Sequence, residues 1–291
     1  MGQNCWLFAS QQSGRLTVAS RRVATSLGVL QLLAMAVLSV SAARGETAGP
    51  VDVSFFDDAR KLQLARRLYR PDGPGPFPAV VMMHGCGGVG SNQHDWGRRL
   101  QVWGYVALII DSFGPRGKTN VCDDVLGVDA RFARMPDAFA AKSFLMSQPF
   151  VDGEHIALMG WSHGGAATLF AVDDIYLTGV KSTPFTGVIA FYPPCFALMQ
   201  RVNAPLLILI GEVDDWTAAS ACRNMLRSTE QWERLAAAKI TLKVYPDAHH
   251  GFDLRGPLRQ IYGHTIGGHP GAAAQAEEEV KRFLARHLRK S

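Results

Sequence analysis

The sequence lacks clusters of basic residues outside its final predicted helix, and it has no acidic residue before Glu46. The formal net charge of the whole chain is +5. Three of these charges are arginines of the first 43 residues, so the remainder carries only +2. Proteins that bind nucleic acid usually concentrate Lys and Arg on one surface. The charge pattern therefore excludes nucleic acid as an expected partner.

The sequence also lacks cysteines at the spacing that structural metal sites require. The chain has five cysteines, and no two of them form the C-x-x-C pattern that is typical of zinc sites. His264 and His269 lie in a glycine-rich stretch without acidic or cysteine neighbours. We therefore expect no metal site, and the sequence implies no organic cofactor.

The first 43 residues are typical of an export signal. Arg15, Arg21 and Arg22 form a basic start, residues 23–40 are mostly apolar, and small residues follow at 41–43. This layout predicts a signal peptide over residues 1–43, export to the periplasm or the medium, and no stable membrane association after cleavage. Two alternatives stay open: the apolar run is long enough for a retained membrane anchor, and the arginine pair also fits twin-arginine export.

Residues 44–291 alternate short apolar runs with longer amphipathic ones. This alternation predicts a single-domain α/β fold, in which helices cover both faces of a mainly parallel central sheet. A hairpin-like segment precedes a proline- and glycine-rich turn at residues 71–78. The predicted strands are 79–83, 106–110, 156–159, 187–191, 206–210 and 240–245; the predicted helices are 96–103, 131–146, one from 163 onward, 230–238 and one at the carboxyl end.

The residues Gly160-Trp161-Ser162-His163-Gly164 match the G-x-S-x-G pattern of a nucleophile elbow. In an elbow, a tight strand-to-helix turn exposes the serine, and small neighbours let other backbone segments approach. A predicted strand runs directly into this motif, and the small residues 165–167 follow it. The context favours Ser162 as a nucleophile.

A serine nucleophile needs a histidine base and an acid, both supplied later in the chain. Two adjacent histidines, His249 and His250, follow the last predicted strand. The strand before it ends at a segment with three carboxylates, Glu212, Asp214 and Asp215. Spacing alone does not separate the two histidines, nor Asp214 from Asp215.

Ester hydrolysis also needs two N–H groups directed at the oxyanion. The N–H of His163, directly after the nucleophile, is one predicted donor. The segment 84–88, His-Gly-Cys-Gly-Gly, has a bare backbone after a buried strand, and the N–H of Cys86 is the second. His84 itself is either a substrate contact or a strand-end histidine bonded to the backbone.

These motifs together resemble the dienelactone hydrolase family across nearly the whole of residues 44–291. The resemblance implies an α/β-hydrolase fold, with Asp214 as the acid and His250 as the base. The founding members have a cysteine nucleophile and no leader, whereas this chain has Ser162 and a predicted signal peptide. The matching segments are the His-Gly-Cys-Gly-Gly loop, residues 111–117, residues 160–165, the Gly-Glu-Val-Asp segment that ends at position 214 and the His-Gly-Phe segment that starts at position 250.

Two further side chains are candidate substrate contacts, Arg116 and Trp161. Arg116 follows a predicted strand end, and a guanidinium matches the geometry of a substrate carboxylate. Alternatively, Arg116 pairs with a carboxylate such as Asp111 or Asp123 and fixes its loop. Trp161 directly precedes the nucleophile.

Four cysteines remain after the predicted leader: Cys86, Cys122, Cys195 and Cys222. An even number in an oxidising compartment favours disulfides. We expect Cys86 to pair with Cys122 and Cys195 with Cys222, since the members of each pair lie on loops at the same end of the sheet. The alternative is four free thiols.

The sequence thus predicts a serine hydrolase that cleaves a small-molecule ester or lactone through a Ser-His-Asp triad and an acyl-enzyme. A serine peptidase or polyester hydrolase shares this triad and differs only in the loops around the pocket. A binding protein that kept the fold is the alternative outside enzymes, and the complete triad argues against it.

Overall fold

One eight-stranded sheet forms the centre of the computed structural model, which describes residues 50–57, 61–124, 127–177, 182–196, 199–237 and 239–288. The strands follow the order β1-β2-β4-β3-β5-β6-β7-β8 across the sheet. β1 and β2 form the antiparallel edge, and all pairs from β4 to β8 are parallel. The strands are β1 Val51–Asp57, β2 Leu62–Tyr69, β3 Phe77–Met83, β4 Val106–Ile110, β5 Val151–Trp161, β6 Val188–Phe191, β7 Leu206–Gly211 and β8 Ile240–Tyr245.

The central strands are continuous apolar runs because helices cover both faces of the sheet. All residues of β4, β6 and β7 are buried. The helices are α1 Ser91–Val102, α2 Met135–Met146, α3 His163–Val172, α4 Ala219–Trp232, α5 Arg234–Ala237 and α6 Pro270–His287. A π-helical turn at Ala130–Arg134 leads into α2. The predicted α/β fold with a mainly parallel central sheet is confirmed.

The helix predicted at residues 230–238 is confirmed only in part. Residues 230–232 end α4 and residues 234–237 form α5, so the helical segment starts upstream of the prediction, in α4. Its buried side is Ala219, Cys222, Met225 and Thr229, at helical spacing. Small and polar residues in this stripe give little hydrophobic contrast, which explains the misplaced start. The backbone then turns extended at Glu233, before α5.

The strand order reverses direction at β3, because the chain passes from β3 to β4 on one side and then to β5 on the other. The carboxyl ends of β3 and β5 therefore lie side by side, and the loops that follow them diverge. Open α/β sheets bind ligands in the crevice outside such a reversal. This crevice holds the candidate site.

Two disulfides cross-link segments that follow the strands: one joins two loops, and the other joins the loop after β6 to helix α4. Cys86 pairs with Cys122, and Cys195 pairs with Cys222, the pairing that the sequence analysis favours. None of the helices in the described part of the chain is long and apolar enough to cross a membrane. The predicted signal peptide lies outside the described residues.

Candidate active site

Ser162 occupies a strained turn between β5 and α3. Its backbone angles, φ +51° and ψ −115°, lie outside the regions that residues other than glycine prefer. Such backbone strain costs about 1–3 kcal/mol. Gly160 and Gly164 permit this turn. A Cβ on Gly164 would overlap the carbonyl oxygens of Met83 and His84, and one on Gly160 would overlap the backbone of Gly164. The G-x-S-x-G glycines are therefore required by close backbone packing.

His250 bridges the serine and an aspartate. Its Nε2 lies 3.0 Å from Ser162 Oγ, and its Nδ1 lies 2.8 Å from Asp214 Oδ2. A carboxylate only accepts, so Nδ1 carries the proton and Nε2 presents a lone pair to the serine hydroxyl. His250 is 5% exposed and Asp214 4%, which shields the pair from solvent. This arrangement can withdraw a proton from the serine.

Asp214 is fixed by the chain that follows it. Its Oδ1 accepts the backbone N–H groups of Trp216 and Thr217 at 2.9 and 2.8 Å. The hydroxyl of Thr217 lies 3.0 Å from Asp214 Oδ2 and 3.1 Å from His250 Nδ1. The rings of Tyr192 and Trp216 pack against the imidazole, with centroids 4.6 and 5.1 Å away. The base therefore has little rotational freedom.

The rival residues at this edge have other contacts. Asp215 accepts the backbone N–H of Thr265, and Glu212 forms an exposed ion pair with Arg223. The Nδ1 of His249 is buried and has no hydrogen-bond partner among the described residues. Geometry thus separates the pairs that spacing left open, since only Asp214 and His250 align with Ser162.

The glycine loop after β3 lies directly against the nucleophile. A Cβ on Gly85 would be 3.8 Å from the Cβ of Ser162. Cys86 and Ser162 line the same cleft, and Val121 N–H donates to the Cys86 carbonyl at 2.9 Å. His163, the other predicted source of an oxyanion donor, is the first residue of α3.

His84 does not contact the cleft, so its prediction as a substrate contact was wrong. The side chain is completely buried. Its Nδ1 donates to the Gly85 carbonyl at 2.7 Å, and its Nε2 accepts the backbone N–H of Ser112 at 3.2 Å. His84 is therefore a histidine at a strand end that is hydrogen-bonded to the backbone, which was the alternative interpretation of the sequence.

Arg116 is also engaged away from the cleft, which corrects its prediction as a substrate contact. Its guanidinium forms two hydrogen bonds with Asp137, at 2.8 and 2.9 Å, and a third with the Ser112 carbonyl at 2.7 Å. Arg116 therefore forms an ion pair, as the alternative interpretation expected, but its partner is Asp137 and neither Asp111 nor Asp123. Asp137 lies on α2 and carries no motif that links it to Arg116 in the sequence.

Sequence reasoning missed Asp253, three residues after His250. Its Oδ2 accepts from the side chains of Asn92, Trp96 and Trp161 at 2.9–3.0 Å, and its Oδ1 accepts the Tyr192 hydroxyl at 2.7 Å. Burial and the Asp253 charge raise the pKa of Tyr192 well above its usual 10, so the phenol remains a donor. The only sequence signal was a carboxylate inside an aromatic segment.

Trp161 borders the cleft, but it is only 1% exposed and its indole N–H points to Asp253. Its ring stacks on Phe191 with centroids 5.5 Å apart. Trp161 is therefore mainly a core residue, and only its edge is available to a substrate in the cleft.

The cleft above Ser162 has a volume of about 360 Å³. One wall is a short hairpin that the sequence analysis did not predict, formed by β9 Arg259–Ile261 and β10 His264–Ile266. Arg259 is exposed at this wall and forms no ion pair with any described residue. In the described part of the chain, no three His, Cys, Asp or Glu side chains come together as metal ligands. The other residues that line the cleft are mainly aromatic or apolar near Trp216 and polar near the start of α1.

The sequence pattern of the dienelactone hydrolase family matches residues 64–288. The chain belongs to this family. Together with relatives named as carboxymethylenebutenolidases and with esterases of known structure, this membership makes the chain a carboxylic ester hydrolase. Residues 64–288 include Ser162, Asp214 and His250.

Two relatives and one solved structure illustrate the likeness. A protein of Escherichia coli O157:H7, provisionally named a carboxymethylenebutenolidase, is 25% identical over 62% of this chain and 69% of its own length. A probable 2-oxo-3-(5-oxofuran-2-ylidene)propanoate lactonase of Bradyrhizobium is 24% identical over 82% of this chain and 94% of its own. Esterase 2 of Thermogutta terrifontis, solved after phosphorylation by paraoxon, has a TM-score of 0.61 at 18% identity, covering 84% of this chain and 98% of the esterase.

Proposed function

We propose that this protein hydrolyses small carboxylic esters or lactones with Ser162 as nucleophile, His250 as base and Asp214 as orienting acid. One observation carries the proposal: a single imidazole lies within hydrogen-bond distance of both Ser162 Oγ and Asp214 Oδ2. In serine hydrolases this geometry lets the imidazole remove the hydroxyl proton while the carboxylate stabilises the resulting imidazolium.

The reaction proceeds through an acyl-enzyme. His250 takes the proton of Ser162 as Oγ attacks the substrate carbonyl, and the N–H groups of His163 and Cys86 donate to the oxyanion. The C–O bond then breaks, and His250 returns the proton to the leaving alcohol. Water attacks the acyl-enzyme with the same base, which releases the acid and restores the serine. With a lactone, the alcohol stays attached to the acyl group.

The cleft favours a compact substrate with an anionic or polar end. Its volume of about 360 Å³ is near the lower end of ligand pockets. The Bradyrhizobium relative is named for a lactone that carries a propanoate group. Since Arg116 is paired with Asp137, Arg259 replaces it as the candidate partner of such a carboxylate.

We also propose that residues 1–43 are a signal peptide and that the protein acts outside the cytoplasm. The two disulfides support this, because disulfides persist mainly in oxidising compartments. Mass determination of the protein recovered from the periplasm or medium tests it: a first residue near position 43 or 44 is expected, whereas Met1 would contradict cleavage.

A fluorophosphonate probe tests the triad. We expect it to label wild type and a Ser91→Ala control, which changes another serine of the same cleft, but not Ser162→Ala. Turnover of nitrophenyl esters and lactones should follow the labelling. Equal labelling of wild type and Ser162→Ala would refute the assignment of the nucleophile.

A further inference from the structure

Arg134, the last residue of the π-helical turn, lies completely buried behind the nucleophile elbow. Its Nη1 lies 2.9 Å from Nδ1 of His163, and its Nη2 donates to the His84 carbonyl at 2.5 Å. The guanidinium carbon lies 5.0 Å from the centroid of the Phe113 ring. One side chain thus connects the residue after Ser162 with the start of the glycine loop.

The contact with His163 fixes the state of that imidazole. A guanidinium has only donors, so Nδ1 of His163 must accept, and a neutral ring then carries its proton on Nε2. The His84 carbonyl precedes Gly85 and Cys86 in the glycine loop. Arg134 therefore contacts both segments that the proposed function assigns to the oxyanion, one through the His84 carbonyl and the other through the His163 side chain.

This position is costly for the fold. Burial lowers the pKa of Arg134 from its ordinary value to about 9, against the opposing effect of the Asp137 charge. The group remains protonated at neutral pH, but Asp137 is hydrogen-bonded to Arg116, and Nε of Arg134 has no partner among the described residues. Well-packed apolar residues often replace buried charges without loss of stability. A buried cation that forms no direct ion pair with any described residue points to a role beyond packing.

We propose that Arg134 is a positioning residue of the oxyanion hole, which aligns the loop that bears Cys86 with the first turn of α3 and places a positive charge behind them. The inference rests on the proposed function. Because the oxyanion exists only in the transition state and the intermediates next to it, the alignment affects kcat more than KM.

The first experiment compares Arg134→Met with a matched control, Lys142→Met. Lys142 is also a buried cation, 3% exposed, and it donates to the backbone of Thr183 and Pro184. Kinetics on nitrophenyl acetate are measured per active site, counted from the end point of fluorophosphonate labelling. We expect Arg134→Met to lower kcat at least thirtyfold with KM within threefold, and Lys142→Met to keep kcat within threefold. Equal kcat losses would overturn the inference.

A second pair of variants decides the question if Arg134→Met does not fold. His163→Gln keeps a side-chain acceptor for Arg134 Nη1, whereas His163→Leu removes it, and neither changes the backbone N–H. We expect the kcat of His163→Leu to be at least tenfold below that of His163→Gln. The same kcat in both variants would exclude a role through this contact.

Failure of the two proposals is distinguishable. A wild-type protein that is neither labelled nor active on any ester or lactone would refute the proposed function. An active, labelled wild type with unaffected Arg134→Met would refute only the role of Arg134.

Discussion

The imidazole of His250 is hydrogen-bonded to Ser162 and Asp214, whereas Nδ1 of its neighbour His249 has no hydrogen-bond partner among the described residues. Tyr192 and Trp216 pack on the His250 ring, and Asp214 fixes its tautomer. The two histidines differ in their environment although they are adjacent in sequence.

The difference between the histidines leads to a prediction for alanine variants. His250→Ala should lower kcat on a short-chain ester at least a hundredfold, since the serine loses its base, and His249→Ala should cost much less. Steady-state kinetics of both purified variants provide the measurement. The opposite ranking would show that the other histidine is the base.

Asp253 should contribute to stability through its four donors. Asp253→Ala leaves Asn92, Trp96, Trp161 and Tyr192 without this acceptor, and we expect a loss of about 3–5 kcal/mol. Asp253→Asn keeps one acceptor oxygen and should lose less than half as much. Urea unfolding of the two variants measures the difference, and equal losses would contradict the hydrogen-bond explanation.

The three residues of the proposed triad could be predicted from local motifs and from their order along the chain. Ser162 follows from the elbow pattern, and Asp214 and His250 follow from strand ends together with the family resemblance. The partners of Arg116 and Asp253 could not be predicted, because they lie 21 and up to 161 positions away in sequence. Such pairs are set by tertiary packing, which leaves no periodic signal in the chain.

At the scale of elements, buried strands were predictable because their apolar runs are short and sharply bounded. β4 and β8 have the predicted bounds, and β3 and β7 differ by at most two residues at either end. The β9–β10 hairpin was not predictable, since its strands have three residues each and are mostly exposed. This hairpin nevertheless forms a wall of the cleft.

Helix α2 carries a buried lysine whose titration should appear in the stability of the protein. Burial lowers the pKa of Lys142 from 10.5 to about 8. Below pH 8 the group is charged in both states. Between about pH 8 and 10.5 the unfolded chain binds more protons than the folded one, so the contribution of Lys142 to stability rises with pH.

The matched variant Lys142→Met should therefore lack this rise. We expect the change in unfolding free energy between pH 7 and pH 9.5 to be more positive in wild type than in Lys142→Met, as measured by urea unfolding at both pH values. An identical pH dependence in the two proteins would show that Lys142 does not titrate in this window.

At the scale of the whole molecule, the two disulfides should stabilise the fold to similar extents. Their sequence separations are 36 and 27 residues, and loop-closure entropy gives about 3–4 kcal/mol for each. Replacing either pair by serine should lower the unfolding free energy by a comparable amount.

The two disulfides should differ in their effect on turnover. Cys86 and Cys122 both line the cleft, whereas neither Cys195 nor Cys222 does. We expect the double variant Cys86→Ser/Cys122→Ser to lose kcat per folded molecule and Cys195→Ser/Cys222→Ser to retain it. Kinetics below the unfolding temperature of both variants measure this, and equal retention would mean that the glycine loop needs no cross-link.

The Cys86–Cys122 bond joins the glycine loop to the chain that follows β4. A newly made chain in a reducing cytoplasm would have both thiols free, and only hydrogen bonds would hold its glycine loop. Under the proposed export, transfer to an oxidising space would then close this disulfide bond at the same time as it delivers the protein.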